Sequence, residues 1–376
     1  MNMRSEFKTA IIMGVIVVGA IGGLSAYFTS LDQSAMDKTD GLKTQTTQEN
    51  SALPNIDKSR FKKAPELEGI NGYINTNSEE FKEQIEGKVV LYDIWTYSCI
   101  NCQRTLPYLT AWDEKYSDEG LLIIGIHSPE FEFEKDINNV ELAVEKFGIN
   151  YPVILDNDKT IWKSFENRYW PRKYIADDEG YIRYDHIGEG AYDETEKIIQ
   201  NLLQERATRL GLNVASAQSL VDLEEFKHGA RTPELYFGHN FAFGRNQLGN
   251  SEGFKPQQDV KYVIPQSLKD NFFYLDGTWK NLEDRMILVS ESGTIKLPYF
   301  AKQVNIVADG HSELTILLDG KPISQSDIGD DVSQVGKVVI SEATLYNLVN
   351  TPESSKHTLE IQVNEPGFEI YTFTFG

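Results

Sequence analysis

The sequence predicts an α/β domain with a mixed central sheet, followed by an all-β sandwich and preceded by a single transmembrane helix. Three patterns indicate this arrangement. Residues 9–28 form a long apolar run near the N-terminus. Short apolar strands then alternate with helical patterns through residues 64–206, and short β segments separated by turn residues fill residues 231–376. A polar, partly helical stretch at residues 207–230 is predicted to connect the two domains.

The N-terminal apolar run is long enough to cross a bilayer as a helix, because it holds about 20 residues without a charge. Arg4 and Lys8 precede it and acidic residues follow it, so the positive-inside rule places residues 1–8 in the cytoplasm and the rest of the chain outside. A cleaved signal peptide is the alternative, although its apolar core would be shorter and no convincing small-x-small cleavage site follows. We therefore expect residues 9–28 to be a signal anchor in a single-pass protein of the cell membrane.

The segment that follows the apolar run, residues 29–63, is rich in Thr, Gln, Asn, Ser and Lys and poor in apolar residues. Such a composition does not bury enough apolar surface to form a core. The segment is therefore predicted to be a flexible linker that lets the extracytoplasmic domains reach partners near the membrane.

The charge of the chain excludes one class of partner. The formal net charge is -21. A surface this acidic repels a phosphate backbone, so nucleic acid is not an expected ligand.

The order of apolar segments predicts the α/β domain element by element. Residues 88–95 form a continuous apolar run of the kind found in buried parallel strands, and this run leads directly into a helix that contains the cysteines. That helix is expected to end near residue 116. Further strands are predicted at residues 121–126, 152–155, 173–176 and 181–186, and further helices at residues 140–147, 160–165 and 193–206.

The chain contains only two cysteines, Cys99 and Cys102. A structural zinc site normally needs four ligands, and no second cysteine pair or closely spaced histidine pair completes one, so no metal is expected. A disulfide that closes so short a loop restrains little of the unfolded chain, because the stabilisation grows with loop length. Redox chemistry therefore explains the pair better than a metal site or a structural disulfide does.

Both cysteines lie at the start of a predicted helix, directly after the buried strand. A thiol in the first helical turn lies beside unpaired backbone N–H groups and the positive end of the helix dipole, which stabilise a thiolate. Cys99 is therefore predicted to attack substrate, and Cys102, one turn further, to resolve the mixed disulfide. Asp93 lies within the apolar strand and is a candidate proton acceptor, because burial raises the pKa of a carboxyl. A solvent-facing or salt-bridged acid is the alternative for Asp93.

The segment DIWTYSCINCQRTLPY at residues 93–108 resembles the active-site stretch of thioredoxin-like proteins, and most closely that of the extracytoplasmic part of the DipZ family. The segment GIHSPEFEFEK at residues 125–135, the stretch at residues 166–196 and the final YTFTFG resemble that family as well. The similarity runs over residues 64–376. This combination of motifs is more specific than the CxxC spacing alone.

The resemblance implies both the folds and the reaction. Residues 64–206 would adopt the thioredoxin fold, as in TlpA-like thiol–disulfide oxidoreductases, and residues 231–376 a jelly roll similar to carbohydrate-binding modules. No cofactor is implied beyond the redox-active disulfide Cys99–Cys102, and the expected partners are extracytoplasmic cysteine-containing proteins. DipZ proteins typically carry a polytopic electron-conducting membrane domain ahead of this region, whereas this chain offers one span. Electrons are therefore expected to pass through a separate membrane carrier of the CcdA or DsbD kind.

The resemblance also implies roles for individual residues near the cysteines. Asp93 would be the buried acid that serves Cys102. Trp170 and Pro171 would form a cis peptide bond facing the cysteines, with Trp170 contacting the extended substrate chain; a trans proline at a strand entry is the alternative. Trp95 would lie beside the redox pair and shield it, although a plain core aromatic gives the same sequence. Trp170, Pro171 and Trp95 are thus the candidate substrate-binding residues.

Four other residues near the motif have less specific interpretations. His127 follows the second parallel strand, where ligands often bind, but a hydrogen-bonded structural histidine is the preferred interpretation. Asn101 and Arg104 either stabilise the charge of the thiolate or contact the substrate. The alternative is that they occupy solvated positions on the helix. Pro107 is predicted to kink the active-site helix, because proline removes a backbone donor.

The C-terminal region contains several short β segments with turn signals between them. Asp309–Gly310 and Asp319–Gly320 are the expected hairpin turns. Strands are predicted at residues 293–299, 303–308, 314–318, 337–340, 357–363 and 368–375. The many aromatic residues of the region form either a core, a glycan-stacking surface or a docking surface for redox partners; they are Tyr236, Phe237, Phe241, Phe243, Phe272, Phe273, Tyr274, Trp279, Tyr299 and Phe300.

Two classes of function are compatible with these patterns. The first is an extracytoplasmic thiol–disulfide oxidoreductase, for which the relation to TlpA-like proteins favours a reductase over an oxidase or isomerase. The second is a cell-surface binding protein whose β-sandwich recognises a glycan or protein, with the α/β domain as scaffold. A scaffold has no need of two cysteines beside Asp93 and Trp170–Pro171, so the enzyme is favoured. A peroxidase is less consistent, because the Pro-x-x-x-Thr-x-x-Cys arrangement is missing.

Overall fold

The computed structural model describes residues 57–212, 219–227, 229–242 and 244–376. The predicted anchor at residues 9–28 and most of the predicted linker lie outside these ranges. Within them, none of the helices has the length and apolar character that crossing a bilayer requires. The end of the predicted linker, residues 57–63, is not a free tether, because it packs on the α/β domain. Lys58 forms an ion pair of 2.9 Å with Asp177, and Lys63 pairs with Tyr181 through a β-bridge.

The α/β domain is built on a mixed sheet, as the sequence predicts, with six strands where five were expected. Its strand order is β1-β4-β3-β2-β5-β6. The central strands β2, β3 and β4 run parallel, and the remaining pairs are antiparallel. The strands are β1 (Gly72–Ile74), β2 (Val89–Trp95), β3 (Leu121–His127), β4 (Val153–Leu155), β5 (Arg172–Ala176) and β6 (Ile182–Ile187). Strand β1 was not predicted, because three residues are too few to show an alternating pattern.

Five α-helices cover the two faces of this sheet. They are α1 (Glu80–Ile85), α2 (Ile100–Tyr116), α3 (Ile137–Lys146), α4 (Thr160–Ser164) and α5 (Tyr192–Leu210). Pro107 lies inside α2, as predicted. Helix α5 continues four residues into the predicted connector and ends at Gly211, whose φ of 67° is readily adopted by glycine. The short helix α1 was not predicted; its first backbone N–H groups are capped by the Asn77 side chain.

Strand β2 is buried along its whole length and supplies side chains to both faces of the sheet. Because successive side chains point to opposite faces, Val89, Leu91 and Trp95 pack with helices α2, α3 and α5, whereas the intervening residues pack with α1 and α4. Asp93 lies an even number of positions from Val89, Leu91 and Trp95, so its side chain is on the same face of the sheet as theirs. Its carboxyl therefore points toward the face that carries Cys102.

The β domain is one ten-stranded antiparallel sheet. Its strands are β7 (Leu235–Tyr236), β8 (Asp259–Tyr262), β9 (Tyr274–Asn281), β10 (Met286–Leu288), β11 (Gly293–Asp309), β12 (Ser312–Leu318), β13 (Lys321–Pro322), β14 (Lys337–Ile340), β15 (Thr344–Val363) and β16 (Glu369–Phe375), and a short helix α6 (His239–Ala242) follows β7. Strand β11 pairs with β15 along most of its length and also with β9 and β16. Since β9 and β16 are joined through β10, these pairings close a ring of four strands.

Two predictions for the β domain need correction. The strands predicted at residues 293–299 and 303–308 are one strand, β11, which a register shift between Ala301 and Gln303 bends without interrupting. The turn at Asp309–Gly310 does not close a hairpin, because β15 lies between β11 and β12 in the sheet. Asp319–Gly320 does connect a hairpin, that of β12 and β13.

Most of the aromatic residues of the β domain belong to its core. Phe237, Phe273 and Trp279 are completely buried, and Tyr274 and Tyr299 are nearly so. A side chain without exposed surface does not stack on a glycan, so of the three alternatives the core interpretation holds for these residues.

The α/β and β domains belong to one compact unit, Leu53–Gly376. A group of buried side chains joins them, which we call the bridging cluster: Phe131 from the loop after β3, with Tyr236, Val307, Leu345 and Tyr371 from the β domain. The Phe131 and Tyr371 rings lie 5.0 Å apart between centroids. The interface is therefore an apolar core shared by the two domains.

Candidate active site

Strand β2 ends four residues before Cys99, which is the N-cap residue of α2. The Cys99 backbone is extended, with φ −82° and ψ 116°, and the Cys99 sulfur accepts a hydrogen bond from the Cys102 backbone N–H at 3.3 Å. A polar N-cap side chain normally takes this role, so Cys99 satisfies an unpaired helix donor with its sulfur. Cys99 is partly exposed, whereas Cys102 is only 1% exposed. Both cysteines are free thiols. The Cys99 sulfur is therefore accessible to a substrate, and the Cys102 sulfur lies behind the Cys99 sulfur.

Asp93 is buried directly opposite a buried lysine. In the antiparallel pairing of β2 with β5, Asp93 faces Lys173, which is 0% exposed and donates a hydrogen bond to the Gly188 carbonyl at 3.2 Å. Burial raises the pKa of Asp93 to about 7, and the positive charge of Lys173 limits the rise. Burial likewise lowers the pKa of Lys173. The pKa of Asp93 therefore lies near neutral pH, where a carboxyl is suited to accept a proton from a thiol.

The Cys102 thiol interacts electrostatically with both members of this pair. Burial raises its pKa well above the ordinary value, and hydrogen bonding and negative charge at Cys99, together with the charge of Asp93, add to the rise. Cys102 is thus a neutral thiol at rest, and it needs a base before it can attack a disulfide.

Lys173 was not identified from the sequence. A lysine inside the predicted apolar strand at residues 173–176 was the available signal, because lysine is almost never fully buried without a partner.

Trp170 and Pro171 have the arrangement that the resemblance implies: the peptide bond between them is cis. The Trp170 indole N–H donates to the Ser128 carbonyl at 2.9 Å, and its ring packs 4.2 Å from that of Trp162. The partly buried Trp170 lines the same cleft as Cys99. Its position is suitable for contact with a substrate.

Trp95 is a core residue of the α/β domain. It is 0% exposed, and its ring packs edge-on against His127 with 5.3 Å between centroids. The predicted substrate-binding role of Trp95 therefore needs correction: a fully buried ring is not accessible to a protein chain.

His127 is structural, in agreement with the preferred interpretation. It is fully buried, and burial lowers its pKa to about 3, so it is neutral. Its Nε2 accepts the Tyr97 backbone N–H at 3.4 Å.

A second buried carboxylate, Glu134, supports the loop that carries Cys99. It accepts hydrogen bonds from the Ser98 hydroxyl at 2.5 Å and from the Phe131 backbone N–H at 2.9 Å. Burial raises its pKa. Since Ser98 directly precedes Cys99, this bond fixes the approach to the thiol. Glu134 could not be identified from the sequence, because its surroundings in EFEFEK look like a solvated acidic turn.

The cleft in front of Cys99 has walls from both domains. It has a volume of about 520 Å³. Asn101, Glu130 and Trp170 are among its α/β residues, and Tyr236 and Arg245 are among its β residues. The β domain thus forms part of the site to which any substrate disulfide must come.

Arg104 belongs to the domain interface and not to a solvated helix face. Its guanidinium donates to the Gln303 side chain of β11 at 2.8 Å, pairs with Glu189 at 3.5 Å and lies 3.6 Å from the centre of the Phe226 ring. It therefore anchors the active-site helix to the β domain.

Metal ligation finds no support in the geometry of the residues described. Across these ranges, His, Cys, Asp and Glu side chains do not gather in groups of three or more that are suited to hold an ion.

Comparison with protein families gives two matches that divide the chain as the structure does. Residues 60–203 match the Redoxin family, and residues 232–376 match the family described as Thioredoxin like C-terminal domain. The two matched segments carry the active-site helix and the β wall of the cleft, respectively.

Individual relatives agree with these matches. Protein DipZ of Mycobacterium tuberculosis is 36% identical over 315 residues, which cover 83% of this chain and 43% of the relative, so the chain spans less than half the length of that protein. The thiol–disulfide oxidoreductase YkuV of Bacillus subtilis is 30% identical over 142 residues, which cover 37% of this chain and 94% of the relative. A solution structure of an oxidised thioredoxin-like protein aligns with 39% of this chain and 97% of its own, at 27% identity and a TM-score of 0.36.

Proposed function

The chain belongs to the thioredoxin-like thiol–disulfide oxidoreductases and is a homologue of DipZ, and from this premise we propose that it reduces disulfide bonds of extracytoplasmic proteins. Cys99 attacks the substrate and Cys102 releases it. The observation that carries this proposal is the placement of the two sulfurs: Cys99 lines the cleft, and Cys102 is buried one helical turn behind it.

In the first step, the Cys99 thiolate attacks one sulfur of the substrate disulfide. A bond forms between Cys99 and that sulfur, and the second substrate sulfur leaves as a thiolate. The Cys102 backbone N–H in the first turn of α2 donates a hydrogen bond to the attacking sulfur of Cys99. Trp170 beside the cleft is positioned to hold the extended substrate chain.

In the second step, Cys102 attacks Cys99 within the mixed disulfide. Asp93 accepts the proton of the Cys102 thiol, the bond between Cys99 and the first substrate sulfur breaks, and that sulfur leaves as a thiolate while the Cys99–Cys102 disulfide forms. Two electrons have then passed from the enzyme to the substrate. The raised pKa of Asp93 matches this role, because a base whose pKa lies near the working pH transfers protons most effectively.

The direction of electron flow is testable by the reduction potential of the Cys99–Cys102 couple, measured against a glutathione or dithiothreitol buffer. A reductase is expected near the thioredoxin value of about −270 mV. A value near that of the strong oxidant DsbA, about −120 mV, would contradict the reductase assignment.

The location and the electron source are part of the same proposal. The apolar run at residues 9–28 would anchor the chain, with both domains outside the cytoplasm. A separate membrane carrier of the CcdA or DsbD kind would re-reduce the Cys99–Cys102 disulfide. Protease treatment of intact cells is expected to degrade both domains. Full protection until the membrane is opened would contradict the proposed topology.

A further inference from the structure

Three oxygen-bearing side chains meet across the domain interface at the cleft of Cys99. The Tyr236 hydroxyl of the β domain lies 2.9 Å from a carboxyl oxygen of Glu130 and 3.1 Å from one of Glu234. Glu130 belongs to the loop after β3, and all three residues line the cleft together with Cys99. None of them has a role in the two-step reaction described above.

The number of protons in this group is limited by its chemistry. A phenolic hydroxyl has one hydrogen, so it donates one linear hydrogen bond and serves only one of the two carboxylates. The second contact is satisfied when the other carboxyl carries a proton and donates it to the phenol oxygen. Two carboxylates that share one hydrogen-bond partner also repel each other, which favours protonation of one of them.

The surroundings place this proton on Glu130. Burial raises the pKa of Glu234 as well, but its hydrogen bond with Tyr236 and the nearby guanidinium of Arg245 both favour its charged form. Glu130 is partly buried, and its charged neighbours include Glu234, Glu134 and the cation Lys159. Burial, followed by the charges of the two glutamates, raises the pKa of Glu130 to about 8, against the opposing effects of Tyr236 and Lys159.

We propose that Glu130 is the proton donor to the thiolate that leaves when Cys99 attacks a substrate disulfide, with the hydroxyl of Tyr236 from the β domain holding its carboxyl at the cleft. This inference rests on the proposed function and assigns a second acid–base group to it. Asp93 serves Cys102 inside the fold, and Glu130 serves the substrate in the cleft.

The step is balanced in atoms and charge. The Cys99 thiolate forms a bond to one substrate sulfur, and the sulfur–sulfur bond of the substrate breaks with its electron pair going to the leaving sulfur. The Glu130 carboxyl transfers its proton to that sulfur, which leaves as a neutral thiol, and Glu130 becomes a carboxylate. In the reverse reaction the carboxylate takes the proton from an incoming substrate thiol.

The test separates leaving thiolates by their basicity. A weakly basic aromatic thiolate, as from 5,5′-dithiobis(2-nitrobenzoate), leaves without a proton, whereas the basic alkyl thiolate from bis(2-hydroxyethyl) disulfide benefits from one. Single-turnover attack by Cys99 is measured in the Cys102→Ser protein, with and without Glu130→Gln. The Glu130→Gln change is expected to slow attack on the alkyl disulfide by about tenfold or more and attack on the aromatic disulfide by less than about twofold.

Glu132→Gln is the matched control, because Glu132 lies two residues further along the chain, is exposed and does not line the cleft of Cys99. It is expected to change both rates by less than about twofold. Equal slowing of both disulfides by Glu130→Gln would assign a structural role to Glu130, and no slowing of either would remove it from the reaction. Failure of the parent protein to attack either disulfide would instead contradict the proposed function.

A second measurement needs no change at Glu130. In the Cys102→Ser protein, the ratio of the alkyl rate to the aromatic rate cancels the ionisation of Cys99, which is common to both reactions. Because the donor must be protonated, this ratio is expected to fall as the pH rises through about 8. A ratio that is constant from pH 6 to 10 would overturn the assignment.

Discussion

The two domains contribute different things to one cleft. The α/β domain supplies both sulfurs, the buried acid Asp93 and the cis peptide at Pro171, while the β domain has no cysteine. The β domain nevertheless supplies part of the cleft wall, including Tyr236, and shares the bridging cluster with Phe131. The comparison teaches that the reactive groups are local to one domain, whereas the environment of the exposed sulfur is made by both.

The largest expected effects come from the α/β side, at the cysteines. Cys99→Ser is expected to abolish disulfide exchange and to capture no substrate, because it removes the attacking sulfur. Cys102→Ser is expected to accumulate covalent adducts with cysteine-containing proteins that dithiothreitol releases, because only Cys102 resolves the mixed disulfide quickly. Non-reducing electrophoresis of both variants checks this. Equal adducts from the two variants, or none from Cys102→Ser, would contradict the order of attack and favour a binding protein.

Asp93→Asn is expected to slow release of substrate from the mixed disulfide and to change the pH dependence of turnover. In the parent protein, turnover should rise as Asp93 loses its proton near pH 7. In the variant this rise should disappear. Stopped-flow measurement of the resolution step from pH 5 to 9 checks the result, and an unchanged profile would exclude Asp93 as the base.

The same carboxyl makes stability depend on pH in a defined direction. The pKa of Asp93 is about 7 in the folded protein and near 3.8 when unfolded, so the unfolded chain loses its proton first. The free energy of unfolding should therefore fall as the pH rises from about 4 to about 7, by a few kcal/mol at most from this group. Urea unfolding of the Asp93→Asn variant should show a shallower fall over that window.

A smaller effect is expected at the interface between the domains. Phe131 is 2% exposed within the bridging cluster, so Phe131→Ala should lower the free energy of unfolding by about 3 kcal/mol. Leu142→Ala is the control, because Leu142 is 56% exposed and its truncation should change stability by less than about 0.5 kcal/mol. Calorimetry should show one transition for both domains in the parent protein. Two independent transitions would mean that the bridging cluster does not couple them.

The smallest expected effect is the loss of one hydrogen bond between the domains. The Tyr97 hydroxyl donates to the Ala343 carbonyl at 2.9 Å, so Tyr97→Phe should destabilise the protein by about 1 kcal/mol. Tyr299→Phe is the matched control within the β domain. The Tyr299 hydroxyl is buried and has no partner among the residues described, so its removal should be neutral or stabilising. Equal losses in the two variants would contradict the contribution assigned to the Tyr97 bond.

The α/β domain could be predicted almost completely because its signals are local. The continuous apolar run at β2, the cysteine spacing and the helix that follows are all adjacent in sequence, and the structure places their ends within a few residues of the prediction. The cis peptide at Trp170–Pro171 came from the resemblance. Lys173 and Glu134 were missed because their partners are distant in the sequence. Lys173 faces Asp93 on the neighbouring strand, and Glu134 binds Ser98 in the loop before α2.

The β domain was less predictable because its order comes from long-range pairing. Strands β8, β9 and β10 are paired with each other and with distant strands, and their sequences lack a clean alternation of apolar and polar residues. The turn at Asp309–Gly310 looks like a hairpin locally, but β15 inserts between its two strands. The part of the cleft formed by Tyr236 and Arg245 was missed for the same reason.

The hydrogen bond from Tyr236 to Glu130 has a consequence for how such chains diversify. The two residues stand 106 positions apart, on either side of the connector between the domains. Recombination within that connector would join an α/β domain to a β domain that had evolved with another partner. Residues such as Tyr236, Glu130 or the aromatics of the bridging cluster would then lack the residue that they contact in this chain. The two halves are therefore expected to be inherited as a pair, and chimaeras made by exchanging them between relatives should need matching changes at this contact.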